Sequence, residues 1–260
     1  MRLTFLGTGS AMPTGERNQT GLLLENTEDR LLLENTEDRL LLDCGSGVLD
    51  ALSATEPGYT KLDAVILTHH HLDHVADLLP LLKARWLSDA PRISIAGPPG
   101  TEALLDELLD VHVYLRKHVD PDVTDIEAGE TTLAGFDVAA GETRHSMAGF
   151  GYRLSPAGTD EPAIVFSGDT AASPGILSMA DGADVLVHDC SFPDDVETDN
   201  HATPASLGNA LADADADVGA LYLTHLYPHT DGHHEEMIAS VREHYDGKVA
   251  VASDGLTVEL

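Results

Sequence analysis

The chain has 260 residues, 45 of them acidic against 14 basic, and a formal net charge of −31. A surface this acidic lacks the Lys and Arg that displace counterions from a duplex, so double-stranded DNA is excluded as a partner and self-repulsion is expected at low salt. Near-molar salt shortens the Debye length to roughly 3 Å and makes such a surface tolerable, which points to a halophile's cytoplasm.

Met1 to Leu6 reads as a strand, followed by the glycine-rich stretch Gly7 to Gly15, whose amides could approach an anion closely. Residues 22–30, Leu-Leu-Leu-Glu-Asn-Thr-Glu-Asp-Arg, recur letter for letter as 31–39, and Leu40-Leu41-Leu42-Asp43 begins a third pass. Identical copies leave register poorly specified by hydrophobic pattern. The turn Cys44-Gly45-Ser46-Gly47 is therefore expected to fix Leu40 to Asp43, with one copy accommodated at a sheet edge.

Val48 to Ala54 reads as a short helix, and Lys61 to Thr68 as a strand with Val65-Ile66-Leu67 buried on both faces. A helix from Leu72 to Leu87 is expected, with Leu78, Leu79, Leu82 and Trp86 on its core face. Ile93 to Ala96 is a strand, Gly97 to Gly100 a turn, and Thr101 the N-cap of a helix to about Leu115, on which His112 and His118 are solvated. Further strands are expected near Val123 to Ile126, Thr132 to Ala139, Tyr152 to Leu154, Ala163 to Phe166, Asp184 to Val187 and Ala220 to Leu223. Helices are expected from Pro204 to Ala212 and from His233 to Tyr245. His229, His233 and His234 read as a solvated loop and helix start, the other reading being a pocket mouth. Nothing resembles a Pro-, Gly- or Ser-rich linker, so residues 1–260 are expected to form a single domain. No membrane-length apolar run and no basic leader with an apolar core is present, so neither a membrane span nor export is expected, and the location is cytoplasmic by default. Cys44 and Cys190 match no disulfide framework or zinc motif and read as reduced, packed residues.

The chemistry concentrates where the buried strand stops, at Thr68-His69-His70-His71-Leu72-Asp73-His74. Alternate side chains of extended backbone point to one side, so His69 and His71 project together. Asp73 and His74, from the first turn of the helix that follows, can face a point beside them, and His70 points away. Two adjacent metal ions are the natural occupants. Imidazoles and carboxylates without thiolates suit zinc, manganese or iron. Other short apolar strands also end in His or Asp, at Asp169, His188 and His225, which places candidate ligands on rigid elements. His145 lies at a further strand-to-loop boundary.

Taken together, Leu6-Gly7-Thr8-Gly9-Ser10, Leu42-Asp43-Cys44-Gly45, His69 to His74, His145, Ser167-Gly168-Asp169-Thr170 and Thr224-His225-Leu226 make the chain resemble the metallo-β-lactamase superfamily, in its ribonuclease Z-like branch. The resemblance implies an α/β fold, a four-layer αββα sandwich with a binuclear site at one edge of two packed sheets. It implies that His69, His71 and His145 hold one metal, that Asp73, His74 and His225 hold the other, and that Asp169 bridges them. Thr170 and Asp43 are candidates for orienting those ligands. His188-Asp189-Cys190-Ser191 and His201-Ala202-Thr203 resemble two more ribonuclease Z motifs, which makes His201 a general acid or phosphate contact and Asp189 its orienting carboxylate.

The implied enzyme is a metal-dependent hydrolase with two divalent ions, zinc first and manganese or iron as alternatives. A hydroxide shared by the ions attacks phosphorus or carbonyl carbon, and Asp73 could also accept the nucleophile's proton, a role secondary to its ligation. Expected substrates are RNA ends, cyclic nucleotides or small phosphodiesters. A carboxylic ester or lactone hydrolase on the same metal set is the alternative, and a non-catalytic binding module the reading from another class. Relatives are often dimers, so a homodimer is within expectation. Members that process transfer RNA carry a long arm between the His cluster and the next ligand. Val75 to Arg144 is taken up by helices and short strands, so processing of transfer RNA 3′ ends is not expected.

Overall fold

The structure is a computed structural model that describes residues 1–26 and 38–260. Two seven-stranded sheets form among the described residues. The first contains β1 (Arg2–Gly7), β2 (Gly21–Asn26), β3 (Asp38–Leu42), β4 (Ala64–Ile66), β5 (Arg92–Gly97) and β6 (Asp120–Asp125). The second contains β7 (Gly129–Leu133), β8 (Phe136–Glu142), β9 (Phe150–Pro156), β10 (Ile164–Phe166), β11 (Val185–Asp189), β12 (Ala220–Thr224) and β13 (Lys248–Val251). The last strand, β14 (Thr257–Glu259), returns to pair antiparallel with β1. Each sheet is antiparallel in one half, and its other half, β3 to β6 or β10 to β13, is parallel.

Leucine runs explain the layering. Leu22, Leu24, Leu40, Leu42, Ala64 and Ile66 turn inward and meet Phe136, Val138, Tyr152, Leu154 and Phe166 of the second sheet. Their neighbours Leu23, Leu41 and Val65 face outward and pack under α1 (Val48–Ser53), α3 (Leu78–Leu87) and α4 (Thr101–Val111). On the far side, Val165, Leu186 and Leu221 pack under α6 (Pro174–Met179), α7 (Pro204–Ala214) and α8 (His234–Arg242). Strands covered on both faces are apolar at consecutive positions rather than alternate ones, and the result is an αββα sandwich.

Several elements differ from the sequence reading. The helix expected over Leu72 to Leu87 is two pieces, α2 (Leu72–Val75) and α3. Asp77 sits at the break, where its carboxylate accepts the amides of Gly47 and Leu49 at 2.9 and 3.0 Å. The helix from Thr101 likewise ends at Val111 and resumes as α5 (Val113–Arg116). Thr101 is its first helical residue, not its N-cap, and Asp125 accepts the amides of Gly100 and Glu102 there. The single strand expected over Thr132 to Ala139 is a hairpin, reversed at Ala134 and Gly135, both with positive φ. The third leucine pass is β3, held between β2 and β4. The expectation of a copy at a sheet edge falls mostly on 31–37, outside the described residues.

Parallel strands place their carboxyl ends together, and those of β3, β4, β10, β11 and β12 lead into Asp43, Thr68, Asp169, Asp189 and His225. Two bonds suture the sheets there: Tyr152 Oη donates to the Leu67 carbonyl at 2.7 Å, and the Phe150 amide to the Thr68 carbonyl at 2.9 Å. Ligand sites of parallel α/β sheets lie beyond such ends.

Candidate metal centre

Four donors, His69, His71, His145 and Asp169, have ligand atoms within 4.8 Å of one another, as do Asp73, His74, Asp169 and His225. The two groups share Asp169. Its Oδ1 lies 3.3 Å from His74 Nε2, and its Oδ2 lies 3.2, 3.7 and 3.8 Å from Nε2 of His225, His69 and His145. Gly168 makes this approach feasible: its φ is 58°, and a Cβ there would stand 3.0 Å from that of Thr68. Asp43 and His225 also have positive φ, an uncommon conformation for residues other than glycine.

Four of the five imidazoles are oriented from behind. His74 Nδ1 donates to Asp43 Oδ2 at 2.8 Å, and the same carboxylate accepts the amide and hydroxyl of Thr68. Because Thr68 Oγ1 donates to Asp43, it accepts from His69 Nδ1 at 3.0 Å. His145 Nδ1 donates to the Asn200 carbonyl at 3.0 Å. Ser191 Oγ donates to Asp189 Oδ1 at 2.6 Å and accepts from His225 Nδ1 at 2.9 Å. These partners assign the proton on Nδ1 of His69, His74, His145 and His225 and leave their Nε2 atoms aimed inward, whereas His71 turns its Nδ1 into the group.

The consequence is a cage of inward-facing nitrogens. His71 Nδ1 lies 2.9 Å from His69 Nε2 and 3.1 Å from His145 Nε2, and His74 Nε2 is buried with no hydrogen-bond partner. Nitrogens at such separations need a proton or a cation between them, and His69 and His145 carry their own protons on the far side. Electrostatics agree. Burial and the neighbouring His74 hold His69 far below the usual imidazole range, so it is neutral, as a ligand must be. Burial opposes charge on His74, yet Asp169 and Asp43 outweigh it and raise the ring well above that range. The position favours positive charge, and the donor set fits divalent cations of the zinc class.

His201 lies beside this cage. Its Nδ1 donates to Asp189 Oδ2 at 2.8 Å, and its ring stands 4.9 Å from that of His145 and 5.4 Å from that of His225. Burial lowers its proton affinity, but the hydrogen bond and charge of Asp189 prevail and raise it above an ordinary imidazole.

The structure brings together His69, His71, Asp73, His74, His145, Asp169 and His225, with His201 and Asp189 beside them, while Thr170 and His188 lie apart from the donors. Thr170 does not touch a ligand: its Oγ1 accepts the Arg144 amide at 2.9 Å, fixing the backbone just before His145. The glycine-rich loop does not offer all its amides to an anion, because those of Thr8 and Gly9 go to Asp254 and Asn18. His188, at a strand end like the others, turns away and is fully buried. Thr68, Ser191 and the Asn200 carbonyl are supports that sequence reasoning did not assign, although Ser191 stands inside the motif quoted for Asp189. His229 is exposed, 5.5 Å from the Phe192 ring, and His233 pairs with Glu236 at 2.8 Å.

Comparison with known proteins gives the family. A model described as a beta-lactamase superfamily domain matches residues 38–226. The chain belongs to the metallo-β-lactamase superfamily. Within it the chain is ribonuclease Z-like: it is 30% identical to a ribonuclease Z of Myxococcus xanthus, covering 100% of this chain and 98% of that one. It is 32% identical to a ribonuclease Z of Methanopyrus kandleri, covering 99% and 97%. The first alignment runs over 312 positions against 260 residues here, so that relative carries segments this chain lacks. The metallo-beta-lactamase fold protein YhfI of Bacillus subtilis superposes with a TM-score of 0.81 at 25% identity, covering 99% of both chains. This member of the superfamily is a metal-dependent hydrolase of the ribonuclease Z-like type. Among the described residues, no helix is long and apolar enough to cross a membrane.

Proposed function

We propose that the chain is a binuclear phosphodiesterase acting on short nucleotide or RNA phosphodiesters, with zinc as the first candidate metal. The observation that carries this reading is the sharing of Asp169 between two donor groups, with the His201–Asp189 pair alongside. His69, His71 and His145 would hold one ion, Asp73, His74 and His225 the other, and Asp169 both. Such a pair of divalent ions supplies Lewis acidity at the phosphoryl oxygens and lowers the pKa of water.

The chain's own groups do the rest. Asp43, Thr68, Ser191 and the Asn200 carbonyl hold the imidazole protons on the outer nitrogens, which keeps the inner ones as acceptors. Asp189 keeps the His201 ring oriented and favours its protonated form, so that its Nε2–H would be delivered to the leaving oxygen. A positioned imidazolium beside a pair of cation sites suits an anionic phosphodiester with a poor leaving group better than an activated ester.

The test is a panel of bis-p-nitrophenyl phosphate, an aryl ester and a lactone, assayed with added zinc or manganese in molar KCl. The diester is expected to be preferred, and alanine at His69 or Asp169 to remove bound metal and turnover together. Preference for the ester or lactone would replace this reading with acyl hydrolysis.

A further inference from the structure

Two aromatic side chains beside the site have no part in the core. Phe192 and Tyr227 stack with centroids 4.5 Å apart and planes at 28°, and both are partly exposed. Neither belongs to any of the hydrophobic clusters that hold the sheets and helices together. Both rings lie 5.9 Å from His201, and Tyr227 lies 5.8 Å from His225.

Their placement is rigid. The Tyr227 amide donates to the Ser191 carbonyl at 3.2 Å, which locks the residue next to Phe192 beside it. The Tyr227 carbonyl accepts both the amide and the hydroxyl of Thr230, and Pro228 opens the single turn between them. A partly exposed, preorganised π surface at the edge of a polar site is a recognition element for a flat apolar group.

Charge narrows what that group is attached to. With a net charge of −31, the protein repels long polyanions, and in molar salt ionic contacts to phosphates contribute little affinity. Base stacking is sequence-tolerant and does not depend on counterion release. Resting on the phosphodiesterase reading, we propose that Phe192 and Tyr227 form a nucleobase-stacking subsite. The preferred substrate is then a short nucleotide diester held by its base rather than a structured RNA held by its backbone.

The experiment compares diadenosine monophosphate with two analogues in which one base or the other is replaced by hydrogen, in molar KCl with saturating zinc. In the wild type, loss of one of the two bases is expected to lower kcat/KM by about tenfold, mainly through KM. Tyr227→Ala and Phe192→Leu should shrink that ratio toward one, and Tyr227→Phe should keep it, since it retains the ring. Melting temperature and bound metal, measured on each variant, identify any that is misfolded. Turnover of all three diesters at equal efficiency, or an undiminished ratio in folded Tyr227→Ala, overturns the stacking subsite alone. Absence of turnover on these diesters and on bis-p-nitrophenyl phosphate overturns the phosphodiesterase reading and the subsite with it.

Discussion

His74 Nδ1 and Asp43 Oδ2 meet at 2.8 Å with both side chains fully buried, the carboxylate at the end of one strand gripping an imidazole presented after the next. Asp43 also accepts both polar hydrogens of Thr68, which in turn accepts from His69. One carboxylate therefore orients an imidazole in each donor group. Asp43→Asn tolerates the positive φ but cannot accept all three hydrogens. We expect metal affinity about 10–100-fold weaker, read by competition with a chromogenic chelator.

Removing metal should cost stability as well as activity. Five imidazoles and two carboxylates crowd around shared points, and without cations their lone pairs and charges face one another in a buried site. A ligand that binds only the folded state stabilises it by about 2.7 kcal/mol at a hundredfold excess over Kd. A chelated sample should melt lower and recover with zinc or manganese. Asp169→Ala, which removes the donor common to both groups, should melt at one temperature with or without metal.

His201 is predicted to affect rate and not metal content. Its polar contacts run to Asp189 and Ser191, and it belongs to neither of the donor groups around Asp169. His201→Ala should slow kcat on an unactivated diester by about 10²–10⁴-fold, with elemental analysis giving the wild-type metal content. On a p-nitrophenyl ester, whose leaving group needs no proton, the loss should be much smaller. Equal losses on the two substrates would assign His201 to binding and not to proton transfer.

Much of this site is legible in the sequence because its donors follow short apolar runs: Val65-Ile66-Leu67 before His69, Ile164-Val165-Phe166 before Asp169, Leu221-Tyr222-Leu223 before His225. A strand buried on both faces has nowhere to end but at the edge of the sandwich, and parallel neighbours end together. What pattern reading misses is set by partners far along the chain. Asp77 interrupts the helix after His74 by reaching Gly47 and Leu49, and Asp125 caps a helix that begins at Thr101 by reaching Gly100 and Glu102, contacts that span 23 to 30 positions. The Asn200 carbonyl behind His145 carries no side-chain signature at all. Short elements such as α6, β13 and β14 hold too few residues for periodicity to show.

His188 gives a pH prediction independent of the metal. It is fully buried, its Nδ1 donates to the Asp189 carbonyl at 2.7 Å, and its Nε2 has no partner. Burial lowers its proton affinity below that of a free imidazole. As pH falls below about 6.5, the unfolded chain takes up a proton that the folded chain refuses, so stability declines. Denaturant melts of zinc-saturated protein should show this decline, and His188→Leu should show a shallower one. Parallel pH profiles for the two would mean that His188 titrates normally in the fold.

Salt should act in the opposite sense to its effect on an ordinary surface ion pair. The described ion pairs include exposed ones such as Arg92 with Asp120 and Arg116 with Asp110, which screening weakens slightly. Against them stands the mutual repulsion of an excess of carboxylates that amounts to −31 charges, which the same screening relieves. At about 1 M salt the Debye length is near 3 Å, shorter than most distances between surface charges, so repulsion is the larger quantity removed. The melting temperature should therefore rise steadily from low salt to molar KCl, and a chloride of a larger monovalent cation should serve as well if screening is the cause. A melting temperature that falls over this range would show that the acidic surface is not an adaptation to salt.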